Sequence, residues 1–260
     1  MDTALLAFDV DGLHQGRLVR PFEAKKWMEA LDDMLSRIVA KLGRPSKCFL
    51  GKTDLDQTSP PPSVLLLPIA HDARYARVDQ VLVHAPGGFD EVAIAALREL
   101  RYIEIKDRAA VVTVLVHIGK KYELGQTFDH FAVSNVWQSV TPCFLFEDQK
   151  SPNLGDLEPV LCAELAEHGF PPYSQLEIAV KPGRFAPVAA IRETTNPEET
   201  LQTLSAVWDA GDPDDDGKLK WRLGFRLHFD EPVRGPMVLG FGARHGMGQF
   251  LPTNAGRPSP

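Results

Sequence analysis

Apolar positions fall in short blocks along this chain, and their period changes from block to block. Residues 3–10, TALLAFDV, form an apolar run closed by the Asp11-Gly12 turn pair, which predicts a strand. From Pro21 to Gly43, the apolar residues Trp27, Leu31, Met34, Leu35, Ile38 and Leu42 recur at helical spacing, with proline at the start and glycine at the end. The prolines of SPPPS (59–63) break the chain ahead of a strand at VLLLP. RVDQVLVHA (77–85) predicts another strand, ended by Pro86-Gly87-Gly88. A helix is expected over 89–100 with Asp90 as its cap, then a strand over 110–119.

The second half opens with a strand pattern at NVWQSVTPCFLF (135–146) and a helix at 155–169. Strands follow at LEIAVK (176–181), WRLGFRLHF (221–229) and PMVLGF (236–241), and residues 196–210 carry a helix pattern inside a long connection. The first half thus reads strand–helix–strand–strand–helix–strand, the split-βαβ order, and the second half reads as a degraded copy. The expected fold is α+β: two tandem ferredoxin-like domains, residues 1–130 and 131–260. The second would carry an acidic insertion at 193–217 and a glycine-rich loop at 240–250.

Charge changes this picture locally. The formal net charge of the 260 residues is −7. Eight acids and no Lys or Arg lie between Glu193 and Gly217, so the rest of the chain stands at +1. From Trp221 to Pro260 five arginines face two acids. An acidic loop and a basic C-terminal strand region therefore coexist, and the average hides both. The three cysteines are far apart and form no C-x-x-C pair, which argues against a zinc or disulfide framework and for a reducing cytoplasm. No apolar run is long enough for a membrane span, and MDTALLAF lacks the basic flank and cleavage site of a signal peptide. No metal or cofactor is expected.

Two motifs suggest metal chemistry and are weighed against simpler readings. FDVDG is how carboxylate-nucleophile phosphatases of the haloacid-dehalogenase type place Asp9 and Asp11 around Mg²⁺. Here Leu13 follows the glycine in place of the usual threonine, and no repeated parallel βα units are predicted. DPDDDGKLKWRL opens like a calcium loop, but Leu223 stands where a bidentate Glu is needed, so a solvated acidic loop is expected. His14 and His71 lie in polar loops with Arg74, Tyr75 and Arg77 nearby in the second; such loops suit RNA chemistry. GFGARHGMG sets Gly240, Gly242, Gly246 and Gly248 around Arg244 and His245. Glycines let backbone N–H groups turn towards one anion, and arginine adds a phosphate fork; the alternative is a glycine-bulged sheet edge.

These residues carry a resemblance. FRLHFDEPVRGPMVLGFGARHGMGQFLP (225–252) is similar to the C-terminal glycine-rich signature of CRISPR repeat-RNA endoribonucleases of the RAMP superfamily. VWQSVTPCF (136–144) resembles the W-x-S-V-T-P motif of the fused fifth-and-sixth-family Cas protein of type I-G (formerly I-U) systems. RVDQVLVHAPGGFD (77–90) resembles that family's strand–turn–helix, and the chain length corresponds to the RNA-processing half of the fusion. The resemblance implies two RRM-like domains and metal-independent cleavage of CRISPR repeat RNA by 2′-OH attack. The implied partners are repeat RNA or crRNA and other type I Cascade subunits, in the cytoplasm and away from membranes. Implied catalytic candidates are His71, His14 and His245. Implied RNA contacts are Gly240, Gly242, Arg244, His245, Gly246, Gly248, Trp137, Ser139, Thr141, Arg74 and Arg77. Two departures stand out. The family's H-x-H segment is replaced by PPPSVLLLP, and the basic stretch after W-x-S-V-T-P by FLFEDQK. Both bear on cleavage more than on fold, so a crRNA-binding scaffold without cleavage is the alternative.

Overall fold

A single apolar stripe organises the first 124 residues. Helix α1 (Pro21–Leu42) begins on proline, whose missing N–H costs nothing at a helix start. It ends at Gly43, left-handed at φ +66°. Its buried positions Trp27, Met28, Leu31, Leu35, Ile38 and Val39 follow the helical period. The computed structural model describes residues 1–8, 21–49, 64–70, 78–105, 110–124, 127–146, 154–181, 184–192, 204 and 221–253. Asp9, Asp11, His14, His71, Arg74 and Arg77 lie outside the described residues. So does the acidic segment 193–217, apart from Leu204, which is buried in a hydrophobic core.

The chain divides into two compact units: residues 1–124 with 244–246, and residues 125–243 with 247–260. Unit one contains β1 (Thr3–Phe8), α1, β2 (Leu65–Ala70), β3 (Val78–His84), α2 (Glu91–Glu99), β4 (Tyr102–Ile103), β5 (Val111–Gly119) and the short α3 (Lys121–Leu124). Its five strands are ordered β2-β3-β1-β5-β4. The register sets Leu6 against Val81, and Val83 against both Ala4 and Leu66. One face therefore buries Ala4, Leu6, Phe8, Leu66, Val81 and Val83 in one core with α1 and α2. Asp90 caps α2 as expected, accepting from Ala93 N–H at 2.7 Å, and also binds Lys47 N–H and Ser46 Oγ. Burial would raise its carboxyl, but these donors prevail and hold it below 3.8.

Every pairing in this sheet is antiparallel. The described strands thus lack the parallel βα units that the phosphatase alternative would use to bring a strand end and its loops to one metal.

Unit two contains β6 (Val133–Ser139), β7 (Cys143–Phe144), α4 (Leu154–Glu167), β8 (Gln175–Lys181), β9 (Arg184–Pro187), α5 (Val188–Arg192), β10 (Arg222–Leu223), β11 (Phe225–Arg234), β12 (Met237–Val238) and β13 (Gln249–Pro252). Its main sheet is ordered β12-β13-β6-β11-β8-β9. The central four, β13-β6-β11-β8, repeat the order β5-β1-β3-β2 of unit one. Leu154, Leu157, Leu161 and Leu165 form the buried face of α4. Gly169, at φ +74°, turns the chain out of that helix, and Phe170 N–H bonds back to Leu165 O at 2.8 Å.

Two expectations change here. The strand expected over 135–146 is broken at Val140–Pro142 into β6 and β7, because Pro142 has no N–H for a ladder. The strand expected over 236–241 shrinks to Met237–Val238, and Gln249–Pro252 instead pairs with β6.

Candidate functional site

The segment from β12 to β13 is closed by left-handed glycines. Gly240 has φ +85° and Gly248 +63°. A Cβ on Gly240 would lie 2.7 Å from Phe144 O, and one on Gly248 would collide with Leu239 O. Backbone pressed on backbone leaves room for no other residue at either place.

The N–H groups that a phosphate cradle would use are mostly spent inside the fold. Gly240 N–H donates to Glu164 Oε2 at 2.8 Å, and Phe241 N–H to Phe144 O at 2.8 Å. Ala243 N–H reaches Gly240 O at 3.1 Å, Met247 N–H reaches Gly242 O at 3.1 Å, and Gly248 N–H reaches Pro142 O at 2.9 Å. Of the four glycines expected to form a cradle, Gly240, Gly242, Gly246 and Gly248, the N–H groups of Gly240 and Gly248 close the turn.

Arg244 and His245 end a 3-10 turn, Ala243–His245, and with Gly246 they cluster in unit one. Asp32 of α1 holds both. Arg244 Nη2 donates to Asp32 Oδ1 at 2.7 Å, and His245 Nε2 lies 3.4 Å from Asp32 Oδ2. The three side chains are 23%, 22% and 18% exposed for Arg244, His245 and Asp32. Burial alone would raise the Asp32 carboxyl. The His245 hydrogen bond and the Arg244 charge outweigh it and hold the carboxyl below 3.8. Arg244 Nε is buried and has no hydrogen-bond partner among the described residues. The cluster offers an anion only those guanidinium and imidazole donors that Asp32 leaves over.

The W-x-S-V-T-P residues occupy the interior. Trp137 is fully buried, and its Nε1 donates to Ser134 O at 3.0 Å. Ser139 Oγ accepts from Phe225 N–H at 2.8 Å, and Thr141 Oγ1 accepts from Gln249 N–H at 2.8 Å. In the fold the motif ties β6 and the Thr141 turn to β11 and β13.

Two histidines are buried structural groups. His84 Nδ1 lies 3.1 Å from Thr3 Oγ1 and 3.0 Å from Asp2 O, and burial pushes its pKa below 6.5. His130 Nε2 donates to Gln249 Oε1 at 3.0 Å, and burial lowers its pKa as well. Among the described residues, no group of three or more His, Cys, Asp or Glu side chains could hold a metal ion. Among them, too, no helix is long and apolar enough to cross a membrane.

The sequence reading missed Asp32, which holds the tip of the glycine segment, and Glu164, which holds its start. Asp32 follows the buried Leu31 on the flank of the α1 stripe, which marks it as half-buried. Nothing local pairs it with a residue 212 positions later.

No family model and no curated protein matches the chain. Among solved structures it is similar to a crystal structure of the CRISPR RNA processing endoribonuclease Cas6b. That likeness has 11% identity and a TM-score of 0.35, over 96% of this chain and 99% of that one. Likeness at that level carries no weight for fold or activity.

Proposed function

We propose that this chain binds CRISPR repeat RNA and cleaves it without a metal, by attack of a ribose 2′-OH on the adjacent phosphate, and stays bound within a type I interference complex. On this reading residues 1–130 and 131–260 are two ferredoxin-like domains of the RAMP kind. The observation that carries it is the repeated strand order, β5-β1-β3-β2 and β13-β6-β11-β8. It is joined to the signature-like segment 225–252, which supplies β11, β12, the glycine turn and β13. A fold alone does not fix an activity, so the motif carries the functional half of the reading.

Arg244 and His245 are its phosphate-facing groups, with His14, His71, Arg74 and Arg77 as further RNA contacts or proton carriers. A general base draws the 2′-OH proton, and a fixed cation stabilises the charge that develops on phosphorus. A second reading, binding without cleavage, is favoured by one feature: Asp32 engages both Arg244 and His245. Incubating the protein with a labelled repeat hairpin in EDTA separates the two. Retention with cutting at one position supports the first, and retention of intact RNA supports the second. Failure to retain the repeat better than a shuffled hairpin overturns both.

A further inference from the structure

The first five residues of strand β11 alternate strictly. Phe225, Leu227 and Phe229 enter the core, and Arg226 and His228 point to the opposite face of the sheet. The register sets Arg226 between Gln138 of β6 and Glu177 of β8. Arg226 Nη1 donates to Glu177 Oε2 at 3.0 Å, and its Nε and Nη2 reach Gln138 Oε1 at 3.2 and 2.8 Å. The guanidinium also lies 4.5 Å from the centre of the Phe185 ring. It is thus fixed along its edges and on one face.

The other oxygen of the same carboxylate faces His228, with Nε2 at 3.1 Å from Glu177 Oε1; Gln175 Nε2 reaches that oxygen at 3.3 Å. The tautomer that fits this contact has its N–H at Nε2, facing the carboxylate oxygen, and its lone pair on Nδ1. Glu177 is 13% exposed, whereas Arg226 and His228 are 29% and 28%. The orienting carboxylate is therefore sheltered, and the cation and the imidazole reach solvent.

We propose that this cluster is a proton-transfer site for RNA cleavage, with His228 the catalytic base, Glu177 its positioning residue and Arg226 the phosphate's cation. The assignment rests on the repeat-RNA reading above. His228 Nδ1 takes the proton of a ribose 2′-OH, and O2′ forms a bond to the adjacent phosphorus. The P–O5′ bond breaks, and its electron pair leaves with the 5′ oxygen. The imidazolium returns its proton, through water, to that oxygen. The products are a 2′,3′-cyclic phosphate and a 5′-hydroxyl, with no net consumption of water. A bound imidazole aligned by a carboxylate is the arrangement general-base catalysis requires, and Arg226 offsets the charge that grows on phosphorus.

The test is single-turnover cleavage of a labelled repeat hairpin in EDTA, with affinity measured in parallel and folding checked by thermal melting. His228→Gln should keep repeat affinity and lower the cleavage rate by about a hundredfold or more. Glu177→Gln should lower the rate with affinity unchanged, and Glu177→Asp should recover part of it. If His228→Gln cuts at the wild-type rate, the assignment is wrong and the repeat-RNA reading stands. If it loses affinity and cutting together, His228 serves binding or folding and the assignment also falls. A wild-type protein that binds the repeat without cutting overturns the assignment together with the cleavage reading and leaves the binding-only reading, and one that does not bind it overturns both readings.

Discussion

Asp32 accepts a 2.7 Å hydrogen bond from Arg244 across 212 positions of sequence. The contact places the tip of the glycine segment with the first helix, inside unit one. It also decides how much of the Arg244 charge is left for a ligand.

Asp32→Asn should cost about 1–2 kcal/mol, since hydrogen bonds to charged groups contribute about 1.5–3 kcal/mol and partial exposure reduces that. The sign with pH follows from the depressed carboxyl. A carboxylate held below its unfolded value stabilises fully above that value, near 3.8, and loses the effect as pH falls through the folded one. Urea melts should show wild type and variant well separated at pH 7 and drawing together as pH falls below 3.8. Equal separation at both would remove the charged pair from the account.

His84 and His130 give the opposite end of the pH range. Both are buried, and both have their pKa pushed below 6.5. The unfolded chain binds protons first as pH falls, so stability is full above 6.5 and declines below it. Denaturant midpoints should fall between pH 8 and pH 5.5, and His130→Gln should flatten that slope whatever it does to absolute stability. An unchanged slope would mean that the ring is protonated in the fold.

Two glycines with similar backbone angles should respond differently. Gly43 has φ +66° and nothing within 4 Å of its added Cβ, so Gly43→Ala should cost about 1 kcal/mol of backbone strain. Gly248 has φ +63° and its Cβ would meet Leu239 O, so Gly248→Ala should cost at least about twice as much. Equal melting shifts would contradict the packing assigned to the turn.

Where the chain's own period set the structure, the sequence was legible. The stripe of α1, the Asp90 cap, the helix at α4 and four of the five strands of unit one could be read from local pattern, and the two-residue β4 could not. Trp137, Ser139 and Thr141 could not, because polar residues in a strand look the same whether they bond the next strand or face a ligand. The glycine turn was legible as a turn, but the use of its N–H groups depends on Glu164 and Pro142, which no local pattern links to it. Asp32 and the Arg226–Glu177–His228 cluster depend on sheet register and chain return, which are settled only by the whole fold.

The acidic segment yields a test that depends on charge alone. Asp212, Asp214, Asp215 and Asp216 together→Asn should leave repeat-RNA affinity unchanged or raise it, because like charges repel phosphate and salt screens them only over about 10 Å. A large loss of affinity would mean that this segment takes part in binding.

The central claim is metal-independent cleavage through a 2′-OH, and product ends test it most directly. Repeat RNA incubated with the protein in EDTA is separated and weighed by mass spectrometry, beside the same RNA with a 2′-deoxy sugar at the cut. Cleavage at one position, a 2′,3′-cyclic phosphate and a 5′-hydroxyl are expected, with no cut in the deoxy substrate. Intact RNA, or cleavage that survives the deoxy substitution, would contradict it.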